Sequence, residues 1–174
     1  MNTLHTPRLT LLPQCAAHAD AMFVVLADPA IYEYENEPPA SVECLRARFA
    51  RLESWQSADG HERWLNWVLR SVDDADDTLI GYMQATVLAD GAAYVAYVLG
   101  SARWGRGLAS EATAAVLDEL AARYGVSEFL AVLKRANRRS LRLLERHGFV
   151  PASTAALAAH PIEADEWLMT LRRA

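Results

Sequence analysis

Cysteine is scarce in this 174-residue chain: Cys15 and Cys44 are the two, they share no CxxC spacing, and no cluster of histidines accompanies them. A disulfide framework and a zinc site therefore have no sequence support, both cysteines read as ordinary thiols, and no metal is expected. No stretch stays apolar for the roughly 20 residues that a membrane-crossing helix needs. The opening Met1-Asn2-Thr3-Leu4-His5-Thr6-Pro7-Arg8 has neither the basic start nor the apolar run of a secretion signal. A cytoplasmic protein without a membrane partner is the expectation. Internal repeats, Gly/Ser linkers and a G-x-S-x-G nucleophile elbow are also missing, so covalent catalysis by a serine of that kind has no support.

What is present is enough apolar material for one core: 52% of the residues are hydrophobic, and the length suits one globular domain spanning 1–174. The net charge of −5 conceals an asymmetry, with 6 basic and 14 acidic residues in 1–102 against 9 basic and 5 acidic in 103–146. Overall acidity argues against a nucleic-acid partner, whereas the locally basic second half suits a small polyphosphate ligand.

Residues 8–13 read as a strand ended by proline, and 16–26 as a helix closed by Asp28-Pro29. The acidic, aromatic loop Glu33-Tyr34-Glu35-Asn36-Glu37-Pro38-Pro39 follows. Ser41 suits a cap for a helix with Leu45, Phe49 and Leu52 on its buried face, ending near Gly60. Residues 64–72 and 79–88 read as a hairpin around an acidic turn at 73–77, and 92–99 as a central strand after Asp90-Gly91. Two helix-then-strand units come next, 108–124 with 129–134 and 137–146 with a segment from Phe149, before a last strand at 166–171. Residues 152–159 are open between loop and helix, and Trp55, Trp64, Trp67 and Trp167 are expected in the core and strands. An antiparallel meander joined to helical crossovers predicts an α/β domain with a mixed, largely antiparallel central sheet and helices on both faces.

The most informative segment is Tyr97-Val98-Leu99-Gly100-Ser101-Ala102-Arg103-Trp104-Gly105-Arg106-Gly107-Leu108-Ala109-Ser110-Glu111-Ala112. An apolar strand runs through a glycine-rich turn into a helix whose first amides lack partners and lie at its positive end, an arrangement suited to pyrophosphate. The glycines also suit a plain strand-to-helix turn. A Walker A pattern is absent, and a G-x-G-x-x-G fingerprint starting at Gly105 meets Ser110 where its third glycine belongs.

This turn resembles the coenzyme A loop of the GNAT acetyltransferase superfamily, Gln/Arg-x-x-Gly-x-Gly/Ala after a strand, with Gly107 and Ala109 matching and Trp104 standing at the Gln/Arg position. The string from Trp104 to Ala112 is similar to Trp-Gly-Lys-Gly-Tyr-Ala-Thr-Glu-Ala of the ribosomal-protein N-terminal acetyltransferase (RimJ/RimL-like) branch. Asn137-Arg138-Arg139-Ser140-Leu141-Arg142-Leu143-Leu144-Glu145-Arg146-His147-Gly148-Phe149 resembles the same branch's Asn-x-x-Ser-x-x-Leu-Leu-Glu-Lys-x-Gly-Phe. Thr6-Pro7-Arg8-Leu9 and Ile80-Gly81-Tyr82 add to the likeness, which fades after Pro151.

The resemblance implies an N-acetyltransferase with acetyl-CoA as co-substrate, acting by direct attack of a primary amine, with a protein N-terminal α-amine as one acceptor and a small-molecule amine as another. It implies a central strand that splays from its neighbour near Tyr97, Val98 and Leu99 to pair with pantetheine. The loop of Trp104, Gly105, Arg106, Gly107, Leu108 and Ala109 would take the pyrophosphate, with Ser110 just beyond. Asn137, itself a good helix N-cap, would contact the pantetheine arm or the reacting region, and Arg139 and Arg142 belong to a basic run within reach of phosphate. The tyrosine acid of many relatives would stand at Leu144, so Ser140 becomes the candidate acid. Glu33 and Glu35 would face the acceptor, with Tyr94, His160 and Glu163 as weaker candidates for the same side. A noncatalytic coenzyme A-binding module stays open as a competing class, and a homodimer formed by pairing of the last strand at a sheet edge is a further expectation.

Overall fold

The three apolar runs of residues 63–99 form a meander because each is an apolar stretch of strand length bounded by turn-forming sequence. In the computed structural model, residues 1–34, 37–73 and 78–173 are described. Among them the strands are β1 (Leu4–His5), β2 (Leu9–Pro13), β3 (Arg63–Ser71), β4 (Leu79–Val87), β5 (Ala92–Leu99), β6 (Glu128–Lys134), β7 (Val150–Pro151) and β8 (Glu166–Arg172). The helices are α1 (Ala19–Leu26), α2 (Val42–Leu52), α3 (Leu108–Tyr124), α4 (Arg138–Arg146) and α5 (Thr154–Ala159). The strands make one sheet in the order β1-β2-β3-β4-β5-β6-β8-β7, antiparallel throughout except for β5 beside β6.

Helices cover both faces, as the sequence pattern predicts. Ala19, Met22, Leu45 and Phe49 of α1 and α2 pack with Val68 and Leu79 on one side. Leu117 and Leu120 of α3 and Leu143 and Leu144 of α4 join Leu11, Trp67 and Phe129 on the other. Trp67 is fully buried and its indole N–H donates to the Asn2 carbonyl at 2.9 Å, which keeps its one polar atom satisfied. No helix among the described residues is long and apolar enough to cross a membrane.

The parallel junction is short. β5 and β6 pair only at Ala92 with Glu128, Ala93 with Phe129 and Tyr94 with Leu130. Beyond that, β5 follows β4 as far as Leu99 opposite Gly81, and β6 follows β8 as far as Lys134 opposite Glu166. A Cβ on Gly81 would lie 2.2 Å from the Val98 carbonyl oxygen, so only glycine lets β4 hold the end of β5 this closely.

Several expectations need correction. The second helix stops at Leu52, well before Gly60: the Ser54 hydroxyl turns to the carbonyls of Arg51 and Gln56, and Trp55 takes a left-handed φ of 56°. Trp55 is 42% exposed and is not a core residue. Residues 152–159 resolve into α5, capped by the Ser153 side chain, which accepts from the Ala156 amide. The last strand is not a sheet edge, since β7 lies outside it, and the two-residue β7 leaves little edge for another chain to pair with. Most of the acidic turn at 73–77 lies outside the described residues.

Leu117 is wholly buried in the α3 face. Leu117→Ala is expected to cost about 2–5 kcal/mol, measured as the difference in unfolding free energy in urea.

Candidate functional site

The splay of β5 from β6 opens a cleft of about 350 Å³ lined by Tyr97, Val98 and Leu99 on β5, by the turn into α3, and by one side of α4. Of the residues picked out from sequence, Trp104, Gly105, Gly107, Leu108, Ala109, Ser110, Asn137, Arg139, Ser140 and Arg142 all line it. Arg106 does not: its side chain is exposed and its carbonyl accepts from Arg8 Nη1 at 2.8 Å. Glu33 stands outside the lining, its carboxylate bound to Arg139 at 2.8 Å. Glu35 lies outside the described residues.

The start of α3 is built to be bare. Gly107 occupies the N-cap position in the left-handed region, φ 76°, and no side chain caps the helix, so the first amides keep their donors for something else. A Cβ on Gly105 would enter open space, and both glycines have φ near 75°, a backbone that L side chains rarely adopt. Around this positive helix end stand Arg103, Arg139, Arg142 and Arg146. Bare amides, a helix dipole and several guanidinium groups at one mouth suit a polyphosphate, and the narrow cleft behind them suits an extended chain attached to it.

The turn is held from behind. Arg8 Nε donates to Glu111 Oε2 at 2.6 Å, the Arg8 amide donates to Glu111 Oε1 at 2.9 Å, and the Thr6 hydroxyl donates to the same oxygen at 2.6 Å. The Thr6-Pro7-Arg8 segment thereby clamps the first turn of α3. From the front, Trp104 donates its indole N–H to the Leu99 carbonyl at 2.8 Å, and the Arg139 guanidinium lies 3.9 Å over the Trp104 ring, within cation–π range. Asp28 accepts from the Ser101 amide at 2.9 Å. Hydrogen bonds from the Ser101 side chain and backbone hold the Asp28 carboxyl below its ordinary pKa. This fastens the segment after α1 to the end of β5.

Two hydroxyls meet deeper in the cleft. Tyr97 Oη and Ser140 Oγ are 3.0 Å apart, while the Ser140 amide donates to Asn137 Oδ1 at 3.1 Å, so Asn137 does act as the N-cap of α4. Burial pushes the Tyr97 phenol above its ordinary pKa, against the Ser140 hydrogen bond and the charges of Arg139 and Arg146. Ser110 Oγ sits 2.8 Å from His147 Nε2, and burial holds the pKa of this imidazole below its ordinary value against the Ser110 backbone. Leu144 is buried among core residues and does not line the cleft, whereas Leu143 does.

Sequence reasoning missed Ala30, Ile31 and Tyr34, which wall the cleft from the segment after α1. The Asp28-Pro29 break marked the start of that segment and Tyr34 fell in the acidic, aromatic loop, but neither signal set these three residues against the cleft. Among the described residues no three His, Cys, Asp or Glu side chains are grouped so as to hold a metal ion.

A family model described as an acetyltransferase (GNAT) domain matches residues 8–150. An uncharacterized N-acetyltransferase, p20, of Bacillus licheniformis is 26% identical over 149 residues, 86% of this chain and 83% of that protein. The structure of RimL, a ribosomal L7/L12 α-N-protein acetyltransferase in complex with coenzyme A, superposes with a TM-score of 0.80 at 15% identity over 98% of each chain. An aminoglycoside acetyltransferase, AAC(6')-Ib, also in complex with coenzyme A, gives 0.73 at 16% identity over 95% of each chain. At such identities the two structures establish the shared fold.

The clamp behind the turn has a pH signature. Burial alone would raise the Glu111 carboxyl, but the hydrogen bonds from Thr6 and Arg8 outweigh it and hold the group below its ordinary value. A carboxyl depressed in the folded state contributes stability above its unfolded pKa of about 4.3, and that contribution is lost as pH falls through the folded value. Glu111→Gln is therefore expected to lower Tm at neutral pH and to flatten the acid-side fall, measured by thermal melts from about pH 7 to about pH 3.

Proposed function

Because the chain belongs to the GNAT acetyltransferase family, we propose that it moves acetyl from acetyl-CoA to a primary amine by direct attack in a ternary complex, the acceptor being the N-terminal α-amine of a protein or peptide. The single observation that carries the donor half is the pairing of β5 with β6 at only three positions, with the resulting cleft ending on the uncapped start of α3. The likeness in fold to RimL supports the acceptor class.

In this proposal the amides at the start of α3, with Arg139 and Arg142 beside them, hold the pyrophosphate and 3′-phosphate end of coenzyme A. The outer edge of β5 at Tyr97, Val98 and Leu99, freed from β6, pairs with the pantetheine arm, and a main-chain N–H there polarises the acetyl carbonyl. The amine nitrogen bonds to the carbonyl carbon, the C–S bond breaks, and the sulfur leaves toward the two hydroxyls of Ser140 and Tyr97. Ser140 supplies the proton to the departing sulfur and regains one shed by the amine nitrogen as the tetrahedral intermediate collapses, while Tyr97 hydrogen-bonds the serine oxygen. Glu33, held by Arg139, lends negative charge at the mouth and helps orient that arginine across Trp104.

The donor and acceptor sides differ in charge. Arginines crowd the mouth on the α4 side, whereas Glu163, Asp165 and Glu166 surround Lys134 at the end of β6 and outnumber it. An anionic donor and a cationic acceptor are each met by the opposite sign.

A charge placed at the helix start tests the donor site. Gly107→Glu is expected to weaken acetyl-CoA binding by about a hundredfold through repulsion of phosphate, with Gly107→Ala as the control for backbone strain, both read by calorimetry on folded protein. Wild-type affinity in Gly107→Glu would remove the pyrophosphate from this turn. Thiol release from acetyl-CoA with pooled peptides, polyamines and aminoglycosides then tests the acceptor. Release with aminoglycosides alone would replace the peptide acceptor by a small-molecule one.

A further inference from the structure

The sheet face that carries α1 and α2 has a gap in its cover at the middle of β5. Alternation places Tyr94, Ala96 and Val98 on this face. Val98 packs against the α1 and α2 cluster, while Tyr94 packs against a separate cluster with Leu130, Leu168 and Ile162. Between them Ala96 is exposed although β5 is an interior strand, and Val132 of β6 is 38% exposed on the same face. The gap begins where the pairing of β5 with β6 ends, at Tyr94 opposite Leu130. A thioester lying along the freed edge of β5 would present its carbonyl to this gap from the α3 and α4 side.

Tyr94 and His160 border the gap. Their contact joins residues 66 positions apart, with Tyr94 Oη 2.9 Å from His160 Nδ1 and the rings edge to face at 5.6 Å. Both are partly exposed. Of the carboxylates expected on this side, Glu33 is committed to Arg139 and Glu35 lies outside the described residues, whereas Tyr94 and His160 stand beside the gap.

We propose that Tyr94 and His160 act together as the proton acceptor for the incoming amine, the phenol touching the amine and the imidazole holding the proton. The inference rests on the acyl-transfer function proposed above. The ammonium group hydrogen-bonds the phenol oxygen and passes a proton to it as the phenol proton moves to His160 Nδ1. The products are a neutral amine, a neutral tyrosine and an imidazolium, which returns its proton to water through Nε2–H. Burial, then the Asp90 carboxylate, keep the Tyr94 phenol above its ordinary pKa, so it relays a proton and does not ionise.

Few charged groups complicate this pair. Asp90 faces it from the turn between β4 and β5. Beneath it β4 presents Thr86, the register partner of Tyr94, and β6 and β8 present Leu130 and Leu168. Beyond α5 comes Glu163, already bound to Lys134 at 2.7 Å.

The test uses the full chain, acetyl-CoA, and pooled peptides with free N-termini, with thiol release followed across pH and acetyl-CoA affinity measured separately by calorimetry. Tyr94→Phe and His160→Gln are each expected to lower kcat near neutral pH by about tenfold or more, with KM for acetyl-CoA unchanged within about twofold. The deficit should shrink as pH rises and the amine loses its proton unaided, and the double variant should be no worse than the poorer single one, as for groups acting in one step. Folded variants with wild-type kcat and an unshifted acid limb overturn the pair and leave acyl transfer standing. A wild-type protein that binds acetyl-CoA yet acetylates no amine overturns the transfer function and the pair with it.

Discussion

The site depends on how little β5 and β6 pair. Each strand keeps a full antiparallel partner, β4 for one and β8 for the other, so releasing their far ends from one another costs only the hydrogen bonds on one side of each. Parallel pairing is also the less stable kind per residue. Gly81 makes the division firm, because the close approach to Val98 commits the end of β5 to β4. Backbone groups on the freed edge then need partners, and a cleft lined by an unpaired strand edge is a template for an extended ligand.

The turn after β5 inherits its position from that splay and its rigidity from elsewhere. Left-handed glycines let the chain reverse into α3 without a capping side chain, and a bare helix end would fray or wander unless fixed. Glu111 supplies the fixing from inside the helix by gathering Thr6 and Arg8. The N-terminal segment, 103 residues earlier in the chain, thus sets the geometry of the turn. Arg8 further ties the loop by binding the Arg106 carbonyl, which explains why position 106 faces away from the cleft: its backbone is part of the clamp.

Legibility from sequence followed the range of the interaction. β5 and α3 were readable to the residue, since an unbroken apolar run and a glycine-bounded helix are local signals. The N-cap role of Asn137 was readable for the same reason. The splay was not derivable from the residues themselves, because residues 97–99 look the same whether β6 is beside them or not, and only the family resemblance pointed there. The end of α2 was missed because Trp55 takes a left-handed φ of 56°, a conformation that non-glycine residues rarely adopt and that the sequence does not announce. Pairs such as Glu33 with Arg139 and Tyr94 with His160 span 106 and 66 positions, and no spacing rule reaches so far.

Leu144 illustrates how a helix phase decides chemistry. The side of α4 toward the cleft carries Arg139, Ser140, Arg142, Leu143 and Arg146, a set joined by helical steps of three and four. Position 144 falls outside that set and is 5% exposed within the core. A hydroxyl there would have to be buried among leucines or would have to rotate the helix. The cleft instead obtains its hydroxyls from Ser140 on the helix and Tyr97 on the facing strand, in contact with each other. A phenol contributed by β5 needs no adjustment of α4, because Tyr97 reaches Ser140 from the strand whose splay created the space between them.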